Sequence, residues 1–277
     1  MHSVRRLKRF LPIPEAQQAK LGLLMTLVQR DLEARYKGSL LGNFWPILNQ
    51  LSQLLIYTYV FSIVLKVKLS MAGMPDNNFT FGLWLYAGLL PWLAFIMGLS
   101  PAATSVTTQA NLVKKVVFPL ALLPLVPVLS AFIESTFGLM VLLLFVAFMV
   151  GKLYITVLLL PLAWIPQLLL TAGLGYLTAA LTVFLRDIPQ TLGVILNLWF
   201  YATPIIYPVS LIPERFREWV FNLNPLAAIA EFYRDAILVG EVQHWQSWGI
   251  SVFISIIVFY CGLGVYRRLR PGFADVL

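Results

Sequence analysis

Apolar residues in this chain run in blocks of about 20, the length at which an α-helix crosses roughly 30 Å of hydrocarbon. Windows of that length mark six spans, at about 44–65, 83–107, 119–149, 155–184, 189–211 and 247–266. Polar or turn-forming segments separate them: Lys66 to Thr80, Thr108 to Lys115, Gly151 with Lys152, Arg186 with Asp187, and a long stretch from Ile212 to Gln246. The third and fourth blocks exceed a perpendicular crossing, which predicts tilted helices or helices that leave the membrane.

Other periods appear outside these blocks. Over 20–37, Leu21, Leu24, Val28, Leu32 and Tyr36 recur at three- and four-residue steps, with Gln29, Arg30, Glu33 and Lys37 on the other side. That pattern predicts an amphipathic helix lying in the interface, supported by the acid-before-base pairs Asp31/Arg35 and Glu33/Lys37. It is either an anchor beside the first span or a docking surface for a cytoplasmic partner. Gly38 and Gly42 then break it before Phe44-Trp45-Pro46, where the chain turns into the membrane. Between the fifth and sixth blocks, Pro204, Pro208, Pro213 and Pro225 interrupt an apolar stretch, so short re-entrant or interfacial helices are expected there.

Composition confirms the solvent. Sixty per cent of the 277 residues are apolar and 12% are charged, against roughly a quarter charged in soluble domains. The net charge of +8 is mainly a topology signal. With the N-terminus inside, 14 of the 20 basic residues face the cytoplasm, including Arg5, Arg6, Lys8 and Arg9 near the start and Arg267, Arg268 and Arg270 near the end. Both termini are therefore expected in the cytoplasm, and lipid rather than nucleic acid is the expected anionic partner. No removable signal peptide is evident. Cys261 is the one cysteine, and His2 and His244 are isolated in sequence, so no metal site is expected. Gly151-Lys152 is followed by Leu153, and no P-loop occurs.

Candidate functional residues fall in three places. In the first span Gln50, Gln53, Tyr57 and Phe61 share a face, and two glutamines there point to a wet pathway or, equally, to interhelical hydrogen bonding. In the fifth span Asn197, Phe200 and Tyr201 share another face, as channel lining or ordinary packing. The stretch Asn111 to Pro119, with Lys114 and Lys115 flanked by Leu112, Val113, Val116, Val117 and Phe118, has the apolar anchors of a short helix pressed into another protein, or it begins the third span. Glu134 is the one acid deep in a span, either a structural hydrogen-bonded group, a pore-facing group or a coupling residue. Glu231, Arg234 and Asp235 read as a helix-surface ion-pair set.

The stretches Arg30 to Trp45, Lys114 to Pro119, Phe184 to Ile188, Thr203 to Tyr207 and Asn224-Pro225, with the ending Arg267 to Asp275, resemble the permease subunits of ATP-binding-cassette exporters for O-antigen and teichoic acid. The resemblance implies one transmembrane domain over 1–277 in the bacterial inner membrane, paired as a homodimer with two copies of a separate ATPase. That partner would bind ATP and Mg, leaving this chain without cofactor or catalysis of its own. Arg30, Arg35, Lys114, Lys115, Val116 and Phe118 would meet the ATPase. The first and fifth spans, through Gln50, Gln53, Tyr57, Phe61, Asn197, Phe200 and Tyr201, would line a channel for a glycan on undecaprenyl pyrophosphate. O-antigen is the leading cargo, with capsular polysaccharide or teichoic acid as alternatives. A secondary transporter and a membrane enzyme acting on polyprenyl-linked sugars are rival classes, weakened by the scarcity of intramembrane ionisable groups and of converging carboxylates.

Overall fold

The computed structural model describes residues 15–67, 78–115 and 118–277, and among them every regular element is helical. The basic cluster Arg5 to Arg9, the segment 68–77, Val116 and Val117 lie outside the described residues. In chain order the helices are α1 (Glu15–Tyr36), α2 (Trp45–Tyr57), α3 (Asn78–Thr104), α4 (Ala110–Lys115), α5 (Leu125–Val150) and α6 (Leu160–Phe184). There follow α7 (Ile188–Ala202), α8 (Glu214–Leu223), α9 (Pro225–Arg234), α10 (Trp245–Leu269) and α11 (Phe273–Val276).

Four stretches are long and apolar enough to cross a membrane: Phe79–Thr104, Leu120–Val150, Ile155–Phe184 and Trp245–Val276. They coincide with the second, third, fourth and sixth expected spans. The excess length of the third and fourth blocks is taken up by 3-10 turns, Leu120–Leu122 and Ile155–Leu159, ahead of α5 and α6. The other two expected spans differ. The first is α2 running into a π-helical stretch, Thr58–Val64, and the fifth is the 15-residue α7, at about 1.5 Å per residue too short to cross alone without local thinning of the bilayer.

The bundle is built around α3, whose most apolar window is 83% buried, against 17% for α10 at the periphery. Apolar residues all round α3 are the reason: Phe81, Leu83, Trp84, Tyr86, Leu89 and Leu90 are all buried. Close approach of α6 and α10 depends on facing glycines. A Cβ on Gly173 would lie 2.6 Å from the Phe259 Cα, and Gly262 sits against the Gly173 backbone in return. Small residues at such a crossing let backbones meet where lipid supplies no hydrophobic drive.

The proline-broken stretch folds as two short helices. Asn224 separates them and caps α9, accepting a hydrogen bond from the Leu226 N–H. All ten residues of α9 are buried. α9 packs between α3, α10 and α6, and the π turn Asp235–Val239 ends at Gly240, whose φ of +83° suits glycine.

Candidate functional site

Two polar clusters and two exposed helix faces stand out. At the end of the bundle that carries Lys114, Arg186 and Arg267, α1 packs along the first half of α5, with the end of α3 facing it across a groove. Its stripe follows the spacing in part, with Leu24 and Val28 buried, Leu32 and Tyr36 half-buried and Gln29, Arg30, Glu33 and Lys37 exposed, whereas Leu21 is exposed. Leu27, Arg30, Asp31 and Ala34 of α1 face Thr108, Gln109 and Leu112 across an open groove of about 470 Å³. The groove therefore joins the two segments singled out as docking elements.

The docking candidates separate on inspection. Arg30 is exposed in the groove wall, and Lys114 is exposed on α4. Arg35 is half-buried: its Nη2 lies 3.0 Å from Asp31 and its Nη1 2.8 Å from Glu134, so its charge is engaged within the chain. Phe118 packs on the cluster of Val106, Tyr266 and Phe273. The Lys115 side chain and Val116 lie outside what the structure describes.

Glu134 is buried, with its carboxylate fully partnered. Arg35 donates to Oε2 and the Tyr36 hydroxyl donates to Oε1, both at 2.8 Å. Burial first, and then the hydrogen bond to Glu134, push the Tyr36 phenol up to about 12. It therefore stays protonated and able to donate. Of the three readings of Glu134, the hydrogen-bonded structural acid matches this geometry.

The first-span face turns inward. Gln50 is buried, accepts from the Tyr86 hydroxyl at 2.8 Å, and fits beside Gly138 of α5, where a Cβ would lie 2.8 Å from its Oε1. Tyr57 and Phe61 are half-buried, with Phe61 stacked on Phe81 at 5.8 Å. Gln53 Oε1 is buried without a hydrogen-bond partner in the single chain. The outward side of this helix instead carries Leu48, Ser52, Leu55, Ile56 and Tyr59. Spacing alone defined a common face but not its direction. Interhelical hydrogen bonding, the open alternative, describes Gln50. On α7, Asn197 and Tyr201 are exposed while Phe200 packs on Trp92 at 5.4 Å.

The opposite end is fastened by Arg234, which the sequence placed on a helix surface. It is 1% exposed. Its guanidinium donates to Glu231 at 2.5 Å, to the carbonyls of Pro204 at 2.9 Å, Ile205 at 2.8 Å and Trp84 at 3.3 Å, and stacks on the Trp84 ring. Pro204 and Ile205 lie just past the end of α7 and Trp84 lies on α3, so the planar five-donor fork joins acceptors from two segments that a lysine could not serve together. Gly88 makes room, since a Cβ there would lie 2.7 Å from the Arg234 Cζ. Alongside, Asn224 donates to Thr203 at 2.8 Å and accepts from Trp199 at 3.0 Å, so the Thr203 and Asn224 stretches meet. His244, isolated in sequence, is brought to Asp235 at 2.8 Å, with Glu231 close by. The hydrogen bond to Asp235 holds the His244 ring above its usual value, burial opposing. Asp235 Oδ2 also accepts from the Gln243 and His244 backbone N–H groups, so protein donors already fill it.

The geometry shows a groove at the basic end and exposed apolar faces on α2 and α7, and the family model for ABC-2 type transporters matches residues 22–238. The chain belongs to the ABC-2 type transporter membrane family. Among its relatives in that family, it is 32% identical over 257 residues to the O-antigen export system permease protein RfbA of Klebsiella pneumoniae, covering 92% of this chain and 95% of that one. Against the protein of the same name from Myxococcus xanthus it is 31% identical over 260 residues, with the same coverage. The family match takes in α1 from Gly22 onward, the groove, and Arg234 with its partners.

Proposed function

We propose that this chain is the permease subunit of an ATP-driven exporter of O-antigen. The observation that carries the reading is the likeness, over 92% of the chain, to permeases named for O-antigen export. An ATPase subunit is the partner that membership of the ABC-2 family implies, and we place it at the groove between α1 and α4, with Arg30 and Lys114 as contacts. ATP and Mg belong to that partner.

The exposed faces of α2 and α7 support a homodimer with the channel at its axis. Leu55 at 51%, Tyr59 at 58%, Leu198 at 69% and Tyr201 at 65% exposure are the side chains a second copy and a sliding glycan would cover. Aromatic and apolar faces suit sugar C–H surfaces, and exposed Asn197 offers a polar group between them. In this reading 1–277 is one domain with six crossings. α2 with its π stretch and the short α7 supply the first and fifth, the bilayer thinning locally around α7, α8 and α9 form the interfacial and re-entrant pair, and both termini are cytoplasmic in the inner membrane. The cargo is a glycan on undecaprenyl pyrophosphate.

Deleting the gene and following surface glycan tests the proposal. Loss of O-antigen from the cell surface with lipid-linked glycan accumulating inside is expected. Intact surface O-antigen overturns the assignment, and loss of capsule or teichoic acid in its place reassigns the cargo.

A further inference from the structure

We infer that Glu134 is a positioning residue that fastens the end of the interfacial helix to the bundle, so that a displacement imposed on α1 is delivered to α5. The inference rests on the transporter reading above. It starts from depth: Glu134 lies nine residues into α5, about 13 Å from Leu125 at 1.5 Å per residue, where an ionised carboxylate is expensive.

Both of its oxygens are held by consecutive residues of α1, Arg35 and Tyr36, each at 2.8 Å. Those residues close the helix. Gly38, at φ +82°, then turns the chain away, so the last turn of α1 is presented to α5 by a backbone conformation that favours glycine. Lifting this end would leave a buried carboxylate unpaired, which costs far more than the pair itself contributes. The two helices therefore move together.

Two neighbours extend the connection. On one side Arg35 also bonds Asp31 through Nε at 3.1 Å, and Asp31 lines the groove. Whatever fills the groove thus touches a residue bonded to the Glu134 partner. On the other side, one turn along α5, Gly138 receives Gln50 of α2 and its bond to Tyr86 of α3. A shift of α5 consequently presses on the helix that carries the exposed Tyr59 face. Groove, charge pair and first span form one contiguous set of contacts, each with a named polar group.

The test uses the full chain assembled with its ATPase in proteoliposomes loaded with lipid-linked glycan, measuring ATP hydrolysed and glycan exported. For Glu134→Gln, assembly and hydrolysis within twofold of wild type are expected, with glycan exported per ATP reduced at least tenfold. A purely structural role moves hydrolysis and export in proportion, and an unchanged ratio overturns the inference. Should Glu134→Gln fail to assemble, Tyr36→Phe decides. It removes one hydrogen bond and no charge, and a drop of at least threefold in export per ATP is expected, while an unchanged ratio again overturns the inference. A wild-type complex that moves no glycan on ATP addition defeats the transporter reading itself, a result distinct from either variant's failure.

Discussion

Replacing Gly173 by alanine tests whether the α6–α10 crossing is held by backbone contact. The new Cβ would stand 2.6 Å from the Phe259 Cα, 2.7 Å from the Phe259 N and 2.7 Å from the Val258 carbonyl oxygen. All three are main-chain atoms inside α10, so no rotamer change relieves them. Restoring ordinary contact requires the helices to separate by about 1 Å, which forfeits a quarter to a half of the dispersion well for the pairs along that line. The Tyr176 rings against Phe259 at 6.1 Å and Tyr266 at 5.2 Å are strained by the same displacement. Overpacking costs roughly 1–3 kcal/mol, and the aromatic pairs add about 0.5–1.5 each. Alanine returns about 1 kcal/mol through helix propensity. The net expectation is a destabilisation of about 3 kcal/mol, read as a melting midpoint lowered by on the order of 10 °C in detergent by fluorescence-detected size exclusion. Gly264→Ala is the internal control, because nothing lies within 4 Å of its Cβ. It should be neutral or stabilising by up to about 1 kcal/mol. If Gly173→Ala melts at or above wild type, or if the two variants behave alike, the crossing is not set by these glycines.

Further outcomes follow from the other clusters. Arg234→Met should abolish accumulation of folded protein, since it strands Glu231 at about 3–5 kcal/mol besides three carbonyls; normal abundance on immunoblots refutes this. His244 contributes stability through Asp235 that is complete below its usual 6.5 and is lost as pH rises through its raised folded value. The melting difference between wild type and His244→Gln should therefore shrink as pH rises above 6.5, and a constant difference counts against it. Single cysteines at 59, 198 and 201, in a background lacking Cys261, should react with a water-soluble thiol reagent during transport while one at 50 stays protected; labelling at 50 alone refutes the assignment of faces. The purified chain should hydrolyse ATP only after its partner is added, and hydrolysis by the chain alone overturns that expectation.

The sequence made the helices legible because their signals are local. Lipid-length apolar blocks, the Leu24 and Val28 stripe, the Asp31/Arg35 pair and the prolines that split α8 from α9 all act within a few residues. Glu134 was legible as an anomaly, since depth alone makes a carboxylate demand a partner. Its partner was not, because Arg35 lies 99 positions away and reads locally as a surface charge. The same limit misplaced Arg234, whose i, i+3 pairing with Glu231 is real while its burial comes from carbonyls on α3 and after α7. The direction of the Gln50 face needed Gly138, a residue silent in any periodicity.

The Arg234 cluster also dictates an order of events during synthesis. Its fork closes on the Trp84 carbonyl, 150 residues earlier in the chain. Until the ribosome has made α9, the slot beside Gly88 stands open and the carbonyls of Pro204 and Ile205 have no guanidinium to meet. The Arg234 cluster can therefore close only after α9 has been made, because its acceptors on α3 and after α7 come from earlier parts of the chain.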